Sequence, residues 1–251
     1  MLGKKKKKSL KNTPPSLIPD SSQNLCRLPL APGEKQDEPT RINGLSWRIF
    51  RIMSEFVEGF QFLSQSTQEV TIFGSARTSP SDRWYQEAEK LGALLVGSGH
   101  TVITGGGPGI MEGANKGAKE AGGPSIGLNI RLPEEQRENP YVTHGRAFHY
   151  FFTRKVMMAA SAQAYVYFPG GFGTLDELFE IVTLIQTGKM QATPVICVGK
   201  DFWEGLFRWV RSAQLETYQT ISSKDLELIA IVDSAEEAHE IIKHSDERTF
   251  F

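Results

Sequence analysis

From about residue 69 onward the chain alternates short, continuous apolar runs with longer stretches in which apolar residues recur every three or four positions. The short runs VTIFG (70–74), TVITG (101–105), SIGLNI (125–130), AYVYF (164–168) and PVICVG (194–199) predict strands, with a last one near Leu228–Val232. The periodic stretches predict helices over 82–97, 109–121, 148–162, 173–187 and 203–214, and one more starting around Ser234. A strand covered on both faces reads as continuously apolar, because neither face meets water. Strands alternating with helices make βαβ units. The expected fold is therefore α/β: Rossmann-like and doubly wound, a mostly parallel sheet with helices on both faces.

Two segments precede this pattern. Residues 44–64, GLSWRIFRIMSEFVEGFQFLS, predict an amphipathic helix whose apolar stripe is Trp47, Phe50, Met53, Phe56, Val57 and Phe60. Such a stripe is expected to dock on the main domain or on a second subunit. Residues 1–40 carry Lys, Ser, Pro, Asn and Gln with little apolar periodicity. They cannot bury enough surface to offset their ordering entropy, so disorder is expected there. The expected division is a Lys-rich tail (1–40), an N-terminal helical extension (41–66) and a catalytic α/β domain (67–246).

Composition changes this picture little. The 251 residues are 39% hydrophobic and 23% charged, with a net charge of −1, so nothing global points to nucleic acid or a membrane. The tail is the exception, with eight Lys/Arg against four Asp/Glu, an excess that comes from Lys4 to Lys8. Such a run could touch anionic lipid or nucleic acid, but its first reading is a solvated tail. Two isolated cysteines, Cys26 and Cys197, make neither a disulfide framework nor a zinc spacing. No apolar run nears the ~18 residues of a membrane span, and no apolar segment follows the N-terminal lysines as in a secretory signal. A cytoplasmic protein is expected.

In an open α/β sheet, ligands bind beyond the carboxyl ends of the strands, where strand order reverses. Three predicted strands end in glycine-bearing loops: Gly74–Arg77, Gly105–Glu112 and Pro169–Thr174. Glycine lets backbone N–H groups approach an anion, and a following helix N-terminus adds positive dipole. That outlines a phosphate site formed by Gly74, Ser75, Gly105, Gly106, Gly107, Gly109, Gly170, Gly171, Gly173 and Thr174. The dinucleotide pattern fails: G-x-G-x-x-G from Gly105 needs glycine at Ile110, and from Gly107 needs it at Glu112. A Walker A loop fails as well, since Lys189 is followed by Met190 and Lys200 by Asp201. No H-E-x-x-H or Cys/His cluster occurs, so neither a bound metal nor a cofactor is expected.

Several of these residues also have plain structural readings. Thr174-x-x-Glu177 matches a capping box, and Asp176 and Glu177 would complement a helix dipole. These roles leave three neighbouring glycines without a reason. Arg154-Lys155 could be a solvated strip on an apolar helix, or a guanidinium at the mouth of the site, suited to phosphate or a purine edge. Glu112 is either a dipole complement or an acceptor for a ligand amine or hydroxyl. Met157, Met158 and Phe172 are apolar candidates to border a base.

Arg154-Lys155 followed by PGGFGTLDE (169–177), with GGGPGIME (105–112) upstream, resembles the LOG ("Lonely Guy") family of cytokinin-activating phosphoribohydrolases, whose signature is an Arg-Lys pair and P-G-G-x-G-T-x-x-E. Both parts match without a mismatch. The resemblance covers roughly residues 69–245, excludes the tail, and makes the helix 44–64 an extension. Members often carry the label lysine decarboxylase, for which no cofactor-lysine motif is visible here. The resemblance implies hydrolysis of the N-glycosidic bond of a nucleoside 5′-monophosphate, AMP or its N6-prenyl derivative, to base and ribose 5-phosphate. It implies Arg154 and Glu177 as catalytic residues, with Lys155, Asp176, Thr183 and Glu112 joining the loop residues in substrate binding. A homodimer or larger homo-oligomer is expected, with no nucleic-acid or membrane partner. The alternative is a nucleotide-binding or molybdenum-cofactor carrier of the same fold, which would need the glycine loops but no carboxylate beside the sugar.

Overall fold

The structure is a computed structural model and describes residues 41–131, 138–245 and 248. The Lys-rich segment 1–40, with the disorder expected of it, lies outside the described residues. The strands are β1 (Glu69–Phe73), β2 (Thr101–Thr104), β3 (Ser125–Ile130), β4 (His144–Phe148), β5 (Ala164–Tyr167), β6 (Val195–Val198) and β7 (Ile229–Val232). Every described pairing is parallel, in the order β4-β3-β2-β1-β5-β6-β7. The chain builds outward from β1 to β4, then returns to the other side of β1 with β5. Strand order therefore reverses between β1 and β5.

Successive strand residues feed two separate cores. Val70, Ile72, Val102, Ala164, Val166, Ile196 and Val198 face one side; Phe73, Ile103, Tyr165, Tyr167, Val195 and Cys197 face the other. On the first side lie α2 (Arg83–Gly97), α3 (Ile110–Glu120) and α8 (Ala235–Lys243), through Leu91, Leu95, Ala114, Ala118 and Ile242. On the second lie α4 (Phe151–Ser161), α5 (Phe172–Gln186) and α6 (Lys200–Trp209), through Met157, Met158, Leu178, Ile181 and Trp203. Double burial is why these strands carry unbroken apolar runs. Between α6 and β7 the chain runs through a π-helical stretch, Val210–Thr217, and the short α7 (Ser223–Leu226).

Strand β4 was not expected from sequence. Its segment, HGRAF, is largely exposed except for Phe148, because it sits at the sheet edge. An edge strand covered on one side carries no continuous apolar signature, and the helix expected over 148–162 takes in only its last residue, Phe148. Among the described residues, no helix is long and apolar enough to cross a membrane.

The N-terminal helix α1 (Arg41–Leu63) forms as expected, but most of the predicted stripe faces away from the domain. Trp47, Phe50, Met53, Val57 and Phe60 are all more than half exposed; of the six, only Phe56 packs on the core, beside Phe62 and Leu63. Docking of this stripe on the chain's own domain is thus corrected. Polar contacts set the helix rotation. Glu55 turns inward to the start of α4, accepting from His149 N at 2.5 Å, Tyr150 N at 3.3 Å and Thr153 Oγ1 at 2.6 Å. One turn on, Gly59 lies so close to Met157 that a Cβ there would meet Sδ at 2.6 Å.

Candidate functional site

Backbone hydrogen bonds lock the three glycine loops together. Ser75 N donates to Pro169 O and Ile110 N donates to Ser75 O, both at 3.0 Å. The loop after β1 is thereby pinned to the loops after β5 and β2, at the point where strand order reverses, as expected for a ligand crevice. Gly109 makes the join possible. Its φ is +71°, and a Cβ would collide with the Ser75 carbonyl oxygen.

The loop after β2 rests on a buried polar network. Gly106 N donates to Thr104 Oγ1 at 2.9 Å, and Thr104 Oγ1 donates to Asn115 Oδ1 at 2.6 Å. Asn139 Nδ2 reaches Asn115 Oδ1 at 2.9 Å and Gly107 O at 3.0 Å, while Asn115 Nδ2 donates to Ser125 Oγ at 2.8 Å. Buried amides that are satisfied in this way hold one geometry, because any slippage leaves a polar group unpaired. Asn115 and Asn139 come from different elements, and no spacing in the sequence links them.

The opening of α5 differs from the capping box expected of it. Gly171 is the N-cap and Phe172 the first helical residue, which puts Thr174 inside the first turn and Asp176 and Glu177 beyond it. Thr174 is buried, packed so closely under Gly170 that a Cβ on Gly170 would strike its hydroxyl. Tertiary packing thus uses Thr174 as a wedge, and no side chain caps this helix. A Cβ at Gly171 or Gly173 would meet nothing within 4 Å. The folded chain does not itself require glycine at these two positions. They leave open the space in front of a helix N-terminus that presents backbone N–H groups and positive dipole. Phe172, 92% exposed, stands at the rim.

Arg154 and Glu177, from α4 and α5, lie close enough to feel each other's charge, with Arg154 against the loop after β2. The Arg154 guanidinium donates from Nε to Leu128 O at 2.7 Å and lies over Gly105, where any Cβ would hit it. Burial lowers its pKa, and the charge of Glu177 works in the opposite direction. Glu177 is itself buried, and burial pushes its carboxyl up to about 7; Glu180 and Asp176 add to the rise, while Lys155 and Arg154 oppose it. An uncharged or charged carboxyl is therefore accessible near neutral pH, beside a cation. Such pairing of burial with a specific charge partner is common at catalytic sites.

Five other expected site residues are placed differently. Met158 lies in the core, 1% exposed, and cannot border a ligand. Lys155 is occupied: its Nζ lies 2.7 Å from Asp176 Oδ2 and 2.9 Å from Glu180 Oε2, tying α4 to α5. Burial works against this ammonium, but its hydrogen bonds to Asp176 and Glu180 outweigh that and raise its pKa. Asp176 is the other half of that tie. Thr183 lies roughly 16 Å along α5 from its start, exposed, with its hydroxyl donating to Phe179 O at 2.6 Å. Glu112, in the first turn of α3, accepts from Tyr85 OH at 3.2 Å, so α2 already holds it.

Sequence reading missed Glu55. A carboxylate accepting from two backbone N–H groups and a hydroxyl at the start of α4 substitutes for a cap that α4 lacks, since Tyr150 makes no side-chain cap bond. Glu55→Ala is expected to destabilise the protein by about 1–3 kcal/mol. Denaturant unfolding measures this, and an unshifted midpoint would show that water replaces the carboxylate at no cost.

Known proteins resemble this chain in both sequence and fold. Residues 111–242 match the family profile described as "Possible lysine decarboxylase". A protein of Oryza sativa subsp. japonica named cytokinin riboside 5′-monophosphate phosphoribohydrolase LOG is 31% identical over 168 residues, 65% of this chain and 66% of that one. A namesake from Rhodococcoides fascians is 26% identical over 163 residues, 62% of this chain and 81% of its own. Among solved structures, the molybdenum cofactor carrier protein of Chlamydomonas reinhardtii superposes with a TM-score of 0.53 at 24% identity, covering 70% of this chain and 96% of that one; this likeness shows a shared fold. With the family profile spanning more than half of the chain, the protein belongs to the LOG family, the family described as possible lysine decarboxylases.

Proposed function

We propose that the protein hydrolyses the N-glycosidic bond of a nucleoside 5′-monophosphate, AMP or N6-prenyl-AMP, releasing the free base and ribose 5-phosphate. The observation that carries this reading is the buried Glu177 beside Arg154, on a helix whose uncapped N-terminus carries Gly171 and Gly173, which the fold itself does not need. The names of the relatives support the same reaction class. In this reading the 5′-phosphate sits at the start of α5, on the N–H groups of Gly171–Gly173, with the loops of Gly74–Ser75 and Gly105–Gly109 along the sugar. The C1′–N bond breaks with its electron pair leaving on the base, which takes up a proton. Water adds to C1′ and gives its proton to Glu177 or to solvent. Glu177 as carboxylate either stabilises the oxocarbenium-like sugar or orients that water. Arg154 assists departure of the base or anchors the phosphate. A lysine decarboxylase reading gains nothing from these groups. The reaction is assigned to the cytoplasm and to a homodimer or larger homo-oligomer.

The sugar phosphate should be read more strictly than the base. Two charge-assisted bonds to phosphate, at about 1.5 kcal/mol each, already amount to roughly 100-fold. The expected result is that AMP and N6-prenyl-AMP are both cleaved, with kcat/KM for adenosine lower by about that factor or more. Release of free base measures it. Similar values for AMP and adenosine would remove the phosphate from this site. Tight nucleotide or molybdenum-cofactor binding with no base released would favour the carrier reading instead.

A further inference from the structure

The outer face of α1 presents Trp47, Ile49, Phe50, Met53, Val57 and Phe60 to solvent, each between 46% and 67% exposed. Phe50, Met53, Val57 and Phe60 follow one another at spacings of three, four and three, the seam spacing of helices that pair along their length. The residues between and beside them on this face are Ser46, Ser54, Gln61 and Ser64, all uncharged.

The charged residues of α1 from Trp47 onward turn away from this face, and only Glu58 borders it, accepting from Ser54 Oγ at 2.7 Å. Arg48 stands over the Tyr150 ring, Glu55 holds the start of α4, and Glu58 pairs with Arg146. Arg51 lines the same recess as Glu55, Glu58 and Arg146. Covering the outer face would therefore desolvate little charge beyond the edge of Glu58, which keeps Arg146 as its partner; charge desolvation otherwise cancels much of the gain from burial. From aromatic side chains of about 150–250 Å² each and these exposures, the face offers roughly 700 Å². Single patches on monomers rarely exceed about 300–600 Å², whereas a stable interface takes about 800 Å² from each partner.

We propose that α1 pairs two copies of this chain, helix against helix across a twofold axis. One copy's seam meets the same seam on the other, so the contact closes on itself and leaves no apolar edge exposed. A lipid surface is the less suited occupant, since helices that lie on membranes flank their apolar face with lysine and arginine, and the arginines here turn inward. This inference rests on the self-association proposed above and adds the surface that carries it.

The test uses the full chain, with mass measured by light scattering after size exclusion across a concentration range. It compares the wild type with the double substitution Val57→Glu and Phe60→Glu. Both side chains are solvent-exposed, so secondary structure by circular dichroism should be retained. The expected result is a wild-type oligomer and a variant of half its mass, or one that dissociates at a concentration at least ten-fold higher. A variant of unchanged mass overturns the α1 surface while self-association stands. A wild type monomeric throughout overturns both. Cosedimentation of monomers with phosphatidylcholine–phosphatidylserine vesicles assigns the face to lipid and overturns the proposal. Should the double variant fail to fold, Met53→Cys in a Cys26→Ser background decides. Mild oxidation should give a covalent dimer, and its absence overturns the pairing.

Discussion

Glu177→Gln is expected to lower turnover by about 100-fold or more while making the folded protein more stable at and above pH 7. The first effect follows from charge. A preorganised group aimed at charge developing in the transition state typically contributes at least ~100-fold, and glutamine keeps the shape of Glu177 without the charge. A variant keeping more than about a tenth of wild-type kcat would take Glu177 out of the chemistry. The second effect follows from burial, which raises the carboxyl from 4.5 to about 7 in the folded protein. Between those values the folded chain holds a proton that the unfolded chain has released. Stability therefore falls as pH rises through that window and levels off above it. A shift of this size corresponds to on the order of 3 kcal/mol, and the glutamine variant should lose that slope. Unfolding midpoints at pH 5 and pH 8 for both proteins measure it. If the working form is the carboxylate, wild-type kcat/KM should climb with pH through about 7. A rate that climbs as pH falls would instead assign Glu177 the part of an acid.

Arg154→Met should be comparably damaging, with about 100-fold or more lost from kcat/KM, and it should leave a mark that does not depend on activity. The guanidinium bonds Leu128 O, covers Gly105 and helps to hold the Glu177 pKa down. Without it, the Glu177 carboxyl should titrate above 7, so the pH at which stability levels off moves upward. Arg154→Lys should not rescue turnover. A lysine keeps the charge but has no planar fork to bond the Leu128 carbonyl and face the ligand space together. An unmoved stability profile in Arg154→Met would show that the two groups do not sense each other, and the coupled site would fall with it.

Together the two variants separate site from scaffold. Lys155, which adjoins Arg154 in sequence, points to Asp176 and Glu180. One residue on an α-helix turns the side chain by about 100°, so of the Arg-Lys pair one member faces the crevice and the other ties α4 to α5. The motif records both residues without distinguishing these tasks.

The order of strands and helices, the parallel α/β class and the three glycine loops were legible in the chain itself, because they rest on local rules. Continuous apolar runs mark strands covered on both faces, and glycines clustered at strand ends mark turns that approach something closely. The family could be read from Arg154-Lys155 and Pro169–Glu177 for the same reason: the residues are contiguous. Tertiary structure decided what depends on partners distant in sequence. It made Thr174 a buried wedge under Gly170 where the local pattern offered a helix cap, and sent Met158 into the core. It placed β4 at an edge, where the apolar signal fades. It turned α1 so that Glu55 meets α4 and the aromatic stripe faces outward, since an amphipathic pattern states that a face will be covered but not by what. And it brought Arg154 and Glu177, from separate helices, within reach of each other's charge, where burial sets their protonation; desolvation depends on everything that surrounds a group, which no local stretch of sequence contains.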